Sequence, residues 1–321
     1  MTTPLVSFVI PCYNYGRYLR DCLNGILSQK GGYDIEIIAV NDASPDDTID
    51  ILRSYTDPRL KIIDRRENKG HIFTVNEGIA AATGKYLVRI DPDDRHHPHF
   101  LQKTVPILEQ NLEVGLVYGN INLINAEGVI TQERADSVHG GKDFKGNEFI
   151  ALMKNNFICA PTVIARREAW LSAWPVPEGL AFNDWYFNLM LARQWEYYYV
   201  DEVLADYRVH GSNWHSKVSK DGSEERSVLQ LLDQLYAQQE TDPVLQAAKL
   251  AARAEVYASQ YLDFATKYFG HGMNRDSRRC FLSALRHQPA LLTTQPRIAR
   301  YLLATFLPRS WYNAIKKGFR A

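Results

Sequence analysis

Three carboxylates lie within four residues at the end of an apolar segment, where a buried strand would leave its sheet. The segment is YLVRIDPDDRHHP, residues 86–98, and its acids are Asp91, Asp93 and Asp94. Acids this close repel one another unless a cation lies among them. Carboxylate oxygens suit Mg²⁺ or Mn²⁺, which proteins usually hold with one or two carboxylates plus substrate phosphates. The cluster therefore predicts a divalent cation that carries a nucleoside diphosphate.

Neighbouring motifs exclude other kinds of site. His96 and His97 are adjacent, so they lack the spacing of zinc-binding histidines, and we interpret them as a polar loop leading into a helix at Pro98. The patterns GxGxxG and GxxxxGK[ST] are absent from the sequence. Their absence argues against a dinucleotide dehydrogenase and a P-loop kinase.

The elements that position these acids alternate along the first 110 residues. Continuous apolar, β-branched runs predict buried strands at 5–10, 35–40, 60–64 and 86–90. Helical spacing of apolar residues predicts helices between them. Strand–helix alternation with short loops predicts a mostly parallel sheet with helices on both faces.

Two of these helices carry terminal signals. In SPDDT, Ser44 is the predicted N-cap, Pro45 the first helical residue and Asp47 the partner in a capping box. The next helix is predicted over 71–83, with Gly84 as its C-terminal stop.

The rest of the chain changes character near residue 220. Strands with an Ala-Glu-Gly turn are predicted at 115–130, a strand at 157–165, a helix at 184–194 and extended chain at 196–210. Helical patterns dominate after Ser223. We therefore predict an α/β domain over 1–220 and a helical region over 221–321, which either docks the C-terminal tail or mediates homo-oligomers.

Polar residues follow three of the predicted strands. Pro11, Tyr13 and Asn14 follow the first, Asp42 follows the second, and the acidic cluster follows the fourth. Ligands of open parallel sheets bind outside the carboxyl ends of the strands. We therefore expect these side chains to lie around one ligand.

Three segments carry motifs in a fixed order: VSFVIPCYNYGRYLRDCLNGILSQ, IEIIAVNDASPDDT and NKGHIFTVNEGIAAATGKYLVRIDPDDRHHP. In order and spacing they resemble the family 2 glycosyltransferases. The resemblance covers residues 5 to about 215. It implies an inverting enzyme with the GT-A fold that uses a nucleotide-activated sugar.

The resemblance implies roles for the residues that follow the first strands. Pro11, Tyr13 and Asn14 would line the base and ribose pocket, Asp42 would hydrogen-bond the nucleobase, and Asn68 would lie in a loop near the nucleotide. An Asp at this position fits uridine best, although thymidine presents the same imide edge and guanosine can also pair with a carboxylate.

The acidic cluster resembles the family's DxD motif. Asp93 would then be the main ligand of Mn²⁺ or Mg²⁺, and Asp91 would support the ribose or the metal. Asp94 would contact the sugar, or it would support the metal-binding side chains without binding the metal itself.

Two later segments complete the resemblance. FNDWYFNLML resembles the segment that holds the general base, which implies Asp184, and YRVHGSNWHS resembles a closing segment whose histidine, here His210, approaches the metal or diphosphate. Asp184 is equally suited to begin its helix as an N-cap, and His210 also fits an ordinary loop histidine. Trp185 is the predicted acceptor contact, with Trp214 as second choice.

The chain departs from the family pattern at two positions. Asn183 replaces the glutamate that precedes the base, and Val75 stands where an arginine often precedes Asn76. A phosphate or base contact would then come from His71 or Arg89. The QxxRW motif of processive members is missing, so we do not expect synthesis of a long polymer inside a membrane channel.

These residue types fit one displacement at the anomeric carbon. Asp184 would remove the acceptor's proton, a contribution of roughly 10²–10⁴-fold, and the divalent ion together with His210 would stabilise the leaving diphosphate. The predicted acceptor is a hydroxyl of a glycan or lipid-linked saccharide in bacterial surface polysaccharide synthesis. A nucleotide-sugar hydrolase and a non-catalytic binding module remain alternatives.

Composition sets the remaining expectations. Lys plus Arg and Asp plus Glu both number 37, and this balance does not predict a nucleic-acid partner. Four unpaired-looking cysteines, and an N-terminus without a basic region, predict a cytoplasmic protein with no signal peptide. No apolar run reaches the roughly 18 residues of a membrane span.

The C-terminal tail, residues 297–321, combines six basic residues with Leu, Phe, Trp and Tyr and has no acid. This composition favours a helix on the surface of an anionic bilayer, on the inner face of the cytoplasmic membrane. The alternative is a helix packed on the catalytic domain with a solvated basic face.

Overall fold

The computed structural model describes residues 5–135, 138–180, 183–211 and 221–307. The chain forms two compact units. The first contains residues 1–149 and 157–211, and the second contains residues 150–156 and 212–321. The sequence pattern did not predict that the short segment 150–156 belongs with the C-terminal helices.

Among the described residues, one ten-stranded sheet forms the first unit, with the order β3-β2-β1-β4-β9-β6-β10-β5, while β7 pairs with β6 and β8 with β10. The strands are β1 Val6–Cys12, β2 Ile35–Asn41, β3 Leu60–Asp64, β4 Tyr86–Arg89, β5 Arg95–His96, β6 Val114–Ile124, β7 Ile130–Gln132, β8 Phe144–Gly146, β9 Ile164–Arg166 and β10 Glu196–Arg208. The first four strands are parallel, and so are β6 and β10. The predicted mostly parallel α/β sheet is confirmed.

Helices connect these strands. They are α1 Gly16–Leu27, α2 Thr48–Arg53, α3 His71–Ala81, α4 Phe100–Gln110, α5 Phe149–Lys154, α6 Arg167–Ala173 and α7 Asp184–Ala192. Alternate residues of a strand face opposite sides of a sheet. Phe8 accordingly packs with the apolar faces of α1 and α4, and Val9 lies against α3 on the other side. Helices therefore cover both faces, as predicted.

Close packing on the α3 face depends on a glycine. A Cβ at Gly78 would stand 2.4 Å from a methyl carbon of Val9. No side chain fits at that distance, so Gly78 lets the helix backbone approach the sheet. The second half of α3 is held against β1 by this contact.

Several predicted boundaries are wrong. Helix α2 begins at Thr48, so Ser44 and Pro45 lie in the preceding loop, and it is Asp46 that accepts hydrogen bonds from the Thr48 hydroxyl, at 2.6 Å, and from the Gly16 N–H, at 2.9 Å. One carboxylate therefore ties α2 to the start of α1. The helix predicted at Pro98 begins at Phe100.

Gly84 has a different role from the one predicted. Helix α3 ends at Ala81, three residues earlier, and Gly84 donates its N–H to the Ser7 hydroxyl at 2.8 Å. A Cβ at this position would lie 2.7 Å from the Ser7 nitrogen. Close approach of two strands, and not a helix end, explains this glycine. The strand predicted at 157–165 is a 3₁₀ turn over Ala160–Thr162 followed by β9.

The second unit is helical in its described part. Its helices are α8 Ser223–Ala237, α9 Pro243–Gly270, α10 Asn274–His287, α11 Leu291–Thr294 and α12 Pro296–Ala304. Gln260 on α9 donates to the Met153 carbonyl at 2.9 Å, which attaches the segment 150–156 to this unit. Within residues 5–135, 138–180, 183–211 and 221–307, no helix combines the length and apolar character needed to cross a bilayer.

Candidate active site

The order of the first four strands creates a crevice. The chain runs from β1 outward to β3 and then returns to place β4 on the other side of β1. The β1–β4 pairing stops at Val9 and Arg89, two residues before Pro11. Because Pro11 has no N–H to donate, it suits the point where the two strands separate. Such a switch point is where open α/β sheets bind ligands.

The loop after β1 presents Tyr13 to solvent. Tyr13 is 46% exposed, and the Asn14 N–H donates to the Ser44 hydroxyl at 3.2 Å. Asn14 and Ala43 both adopt left-handed conformations, with φ of 59° and 55°. Such conformations cost energy in residues other than glycine and are concentrated at functional sites. The two loops at the ends of β1 and β2 are therefore fixed against each other.

Asp42, at the end of β2, is buried and already well bonded. Its Oδ1 accepts from Arg65 at 2.8 Å and from the Lys69 N–H at 2.9 Å, and its Oδ2 accepts from the Gly70 N–H at 2.8 Å. Asn68 donates to the backbone carbonyl of Asp42 at 3.2 Å. Asp42 thus organises the loop 65–70, and its Oδ2 retains room for one further donor.

Asp91 forms an ion pair with Arg89 at the end of β4. Burial would raise the pKa of the Asp91 carboxyl, but the Arg89 cation lowers it below its ordinary value. Arg89 is only 8% exposed, and its Nε has no hydrogen-bond partner among the described residues. Asp91 is therefore held ionised beside a buried cation.

Asp93 lies opposite His210, which the sequence placed 117 residues away. Nε2 of His210 is 3.0 Å from Oδ2 of Asp93. The rings of Tyr15 and Tyr18 enclose the imidazole, at centroid distances of 5.8 and 5.3 Å. The resemblance implies that His210 approaches a metal or diphosphate, and the structure places its imidazole against Asp93 of the acidic cluster.

Arg208 fixes the position of the acidic cluster. Its side chain is 1% exposed and donates Nε–H to the Asp93 carbonyl at 2.7 Å, while its backbone N–H donates to Oδ1 of Asp94 at 2.9 Å. It also forms an ion pair with Asp21 at 3.0 Å. Oδ2 of Asp94 is buried and has no hydrogen-bond partner in the described part of the chain.

The carboxylates of the cluster are crowded. Burial raises the pKa of Asp94 well above its ordinary value, and the charges of Asp93 and Asp91 raise it further. Burial and the charge of Asp91 likewise raise the pKa of Asp93, against the opposing effect of His210. Crowding of this kind is relieved by a cation.

The described residues do not form a complete metal site by themselves. Across the described ranges, no group of three His, Cys, Asp or Glu side chains stands ready to hold a metal ion. Asp93 and His210 are the pair of side chains that comes closest to forming a metal site, and Asp91 belongs to the same acidic cluster. Two protein ligands suit Mg²⁺ or Mn²⁺ that is completed by phosphate oxygens and water.

Asp184 begins α7 and lines a small, solvent-open pocket together with Asn183 and Arg89. Asp184 and Asp91 both act electrostatically on Arg89. Asn183 is 7% exposed, and its Nδ2 has no partner among the described residues. The structure therefore brings the predicted base next to the arginine that pairs with the acidic cluster.

The structure does not present Trp185 for acceptor contact. Its side chain is 3% exposed, because residue 185 falls on the buried side of α7. The second aromatic candidate, Trp214, lies outside the described residues. His96 and His97 are held structurally, since His96 lies 2.8 Å from the Pro161 carbonyl and His97 lies 2.8 Å from Asp206.

Two residues at this site were missed by sequence reasoning. Arg208 and Arg65 each hold a predicted site acid or its backbone. A signal for Arg208 was available in YRVH, because strand alternation places Arg208 on the same side as His210. Arg65 carried no comparable signal, since an arginine after a strand is ordinary.

Comparison with protein-family models matches residues 7–173 to the model described as glycosyl transferase family 2. An uncharacterized glycosyltransferase of Nostoc sp. is 28% identical over 274 residues, which are 82% of this chain and 82% of the relative. TuaG of Bacillus subtilis, a glycosyltransferase named for teichuronic acid biosynthesis, is 26% identical over 78% of this chain and 97% of its own length.

Solved structures of other proteins share the fold. The mannosyltransferase PcManGT of Pyrobaculum calidifontis, solved with GDP-Man and Mn²⁺, is 18% identical with a TM-score of 0.62, over 95% of this chain and 86% of that one. S. aureus TarS, solved with UDP-GlcNAc, is 14% identical with a TM-score of 0.55, over 98% of this chain and 92% of that one.

Proposed function

The chain belongs to glycosyl transferase family 2 and is a glycosyltransferase, and from this premise we propose that it moves a sugar from a nucleoside diphosphate sugar to an acceptor hydroxyl with inversion at the anomeric carbon. One observation supports this proposal above the others. Arg89 forms an ion pair with Asp91, in the acidic cluster, and lines the same pocket as Asp184, the candidate base, whose charge also acts on it. The leaving diphosphate and the acceptor hydroxyl would then bind at neighbouring side chains.

The diphosphate would bind at the acidic cluster with a divalent cation. Asp93 and His210 would hold the ion, with Asp91 beside them. The donor set fits Mn²⁺ or Mg²⁺, and a cation would relieve the crowding that raises the pKa values of Asp93 and Asp94. Such an ion supplies positive charge that stabilises the leaving diphosphate.

The nucleoside would occupy the crevice at the ends of β1 and β2. Tyr13 is exposed there, Asn14 is fixed by Ser44, and Oδ2 of Asp42 keeps room for a donor such as the imide N–H of uracil. We therefore propose UDP as the favoured nucleotide. The similar folds of TarS and PcManGT, solved with UDP-GlcNAc and GDP-Man, leave the choice of base to experiment.

Asp184 would act as the general base. Its position in the first turn of α7 places the carboxylate at the pocket that Arg89 also lines. The acceptor hydroxyl would lose its proton to Asp184 as its oxygen attacks the anomeric carbon, so no covalent sugar–enzyme intermediate is needed.

The acceptor would be a glycan or a lipid-linked saccharide of the cell envelope. The relative TuaG, which is named for teichuronic acid biosynthesis, supports this class. Exposed apolar side chains near the C-terminal end of the described chain, Leu303 at 67% and Phe306 at 60%, lie close in sequence to Arg297 and Arg300. We propose that this region contacts an anionic membrane surface; the remaining basic residues, Arg309 to Arg320, lie outside the described residues.

A thermal-shift panel tests the nucleotide site. UDP, dTDP, GDP and CDP would be added with and without Mn²⁺ to the wild-type protein, to Asp93→Ala, and to Asp50→Ala as a control at an exposed acid of α2. We expect one nucleotide to stabilise wild type and control only with Mn²⁺, by about 2.7 kcal/mol at a hundredfold excess over Kd. Asp93→Ala should lose this shift. A shift that survives in Asp93→Ala, or none with any nucleotide, would contradict the proposed site.

A further inference from the structure

The pocket beside Asp184 contains two buried hydrogen-bond donors that the proposed reaction does not use. Nδ2 of Asn183 and Nε of Arg89 are both buried without a partner among the described residues, and both side chains line this pocket. Buried donors are nearly always satisfied, because an unsatisfied one costs about 1–3 kcal/mol. Two such donors at one small, solvent-open pocket require an explanation.

Most of the remaining lining is apolar, with Asp184 and Asn188 as its other polar members. The apolar side chains include Val75, Val163, Trp170 and Phe187. The rings of Trp170 and Phe187 stack with centroids 3.5 Å apart, and the indole N–H of Trp170 already donates to the Leu87 carbonyl at 3.3 Å. The valine and aromatic walls therefore offer apolar surface to a bound group.

The charge of the pocket limits what the two donors can bind. The Arg89 cation is matched by two carboxylates, Asp91 through an ion pair and Asp184 through its field. A third carboxylate, such as that of an acidic sugar, would be repelled. A neutral oxygen with two lone pairs fits better, and the apolar walls require a small apolar group attached to it.

From these contacts we infer that the pocket binds the acetamido group of an amino sugar, with its carbonyl oxygen facing Asn183 and Arg89 and its methyl group against the valine and aromatic walls. This inference rests on the proposed function, because the pocket adjoins the candidate base. It also gives a purpose to Asn183, which supplies an amide donor where the family has a glutamate that could only accept. The group can belong to the donor sugar or to the acceptor.

Paired substrates separate these two sources. In the first arm, turnover by water or acceptor would be compared for UDP-GlcNAc against UDP-Glc and for UDP-GalNAc against UDP-Gal, with Mn²⁺. In the second arm, saturation-transfer NMR would compare binding of methyl N-acetylglucosaminide with methyl glucoside in the presence of UDP and Mn²⁺. A preference for the acetamido compound in the first arm assigns the group to the donor, and a preference in the second assigns it to the acceptor.

Two variants test whether the pocket causes the preference. Asn183→Leu removes the amide at similar size, and Arg89→Lys keeps the charge but removes Nε. Asn183→Leu should reduce the acetamido-to-hydroxyl ratio about threefold to tenfold, as expected for one neutral hydrogen bond. Arg89→Lys should reduce this ratio about tenfold or more, because a hydrogen bond from a charged donor is stronger. Asn24→Leu, at an exposed position of α1, should leave the ratio unchanged. Because the ratio compares two substrates on the same variant, a general loss of turnover affects both values equally and cancels.

Absence of a preference in both arms, or a preference that both variants retain, would overturn the inference and assign the two donors to solvent. Calorimetry of UDP and Mn²⁺ binding on the same samples keeps this result separate from the proposed function. If the nucleotide binds and no preference exists, only the acetamido inference fails. If no nucleotide binds in the panel of four, the proposed function itself fails.

Discussion

The two ends of the same parallel strands bury acidic side chains in opposite ways. At the amino ends, Glu36 is 4% exposed and its carboxylate accepts from the Ser7 hydroxyl at 2.6 Å, the Thr83 N–H at 2.8 Å and Lys61 at 2.5 Å. At the carboxyl ends, Asp94 is 1% exposed and one of its oxygens has no partner in the described chain.

The pKa values record this difference. Burial would raise the pKa of Glu36, but its hydrogen bonds from Lys61, Ser7 and Thr83 lower it to about 2. Burial and neighbouring carboxylates raise the pKa of Asp94 instead. An acid whose ionised form is stabilised by the protein stabilises the fold, whereas crowded acids are held by the rest of the fold at a cost in stability. The carboxyl edge is therefore built for a ligand, and the amino edge for stability.

The largest effect that would sharpen this contrast comes from Asp184→Asn. Loss of a general base should lower kcat by roughly 10²–10⁴-fold, while the nucleotide still binds, because Asp184 lies outside the acidic cluster. The measurement is turnover of the nucleotide sugar chosen by the panel, with water as acceptor if no other is known. Asp50→Asn is the matched control. An unchanged kcat in Asp184→Asn would remove this residue from the chemistry.

A smaller effect is expected at the amino edge, from Glu36→Gln. The folded pKa of about 2 lies below the ordinary value of 4.5, so Glu36 contributes stability above about pH 4.5 and loses it as the pH falls toward 2. The variant should be less stable at pH 7 by on the order of 3 kcal/mol, with the difference vanishing near pH 2. Urea unfolding of both proteins across this pH range measures it.

The control for this prediction is an exposed ion pair of the same sheet. Glu113 pairs with Lys145 at 2.6 Å, and their side chains are 49% and 41% exposed. Glu113→Gln should change stability very little, because exposed pairs are screened by solvent. If Glu36→Gln behaved like Glu113→Gln, the amino edge would not be a stabilising network, and the contrast between the two edges would fail.

Much of the fold was predictable because buried parallel strands have a strong pattern. The runs predicted as strands at 5–10, 35–40 and 86–90 are apolar and β-branched, and the structure has β1, β2 and β4 there. The errors lie at loops whose bonds are set by tertiary contacts. Asp46, and not the predicted Ser44, accepts a hydrogen bond from Thr48 at the start of α2, and it also accepts from the Gly16 N–H, which is 30 residues away. No local pattern contains that contact.

The site residues likewise divide into those that the sequence predicts and those that it does not. The clustering of Asp91, Asp93 and Asp94 is visible in the sequence, and their position after a parallel strand places them at the crevice. The ion pair of Arg89 with Asp91 depends on side-chain packing, and so do the buried donors of Asn183 and Arg89 that lack partners among the described residues. Such packing cannot be read from the pattern of a single sequence. Trp185 shows the limit most clearly, because its place next to Asp184 in sequence suggested access, whereas helix geometry buries it.

The smallest predicted effect tests the carboxyl edge directly. Without metal or nucleotide, Asp93→Asn should raise the free energy of unfolding by about 1 kcal/mol, because it removes one of three crowded charges and keeps an acceptor for His210. Urea unfolding in EDTA measures the change. A loss of stability in Asp93→Asn would mean that the cluster supports the fold as Glu36 does.

Addition of the ligand should then reverse the order of stability of wild type and Asp93→Asn. With Mn²⁺ and the nucleotide at a hundredfold excess over Kd, wild type gains about 2.7 kcal/mol by mass action, whereas Asp93→Asn gains less because its ligand is weakened. A crossing of this kind separates a binding site from a structural network, since removing a purely structural acid lowers stability under both conditions. The same pair of measurements on Glu36→Gln should show no crossing, because its carboxylate already has its partners within the fold.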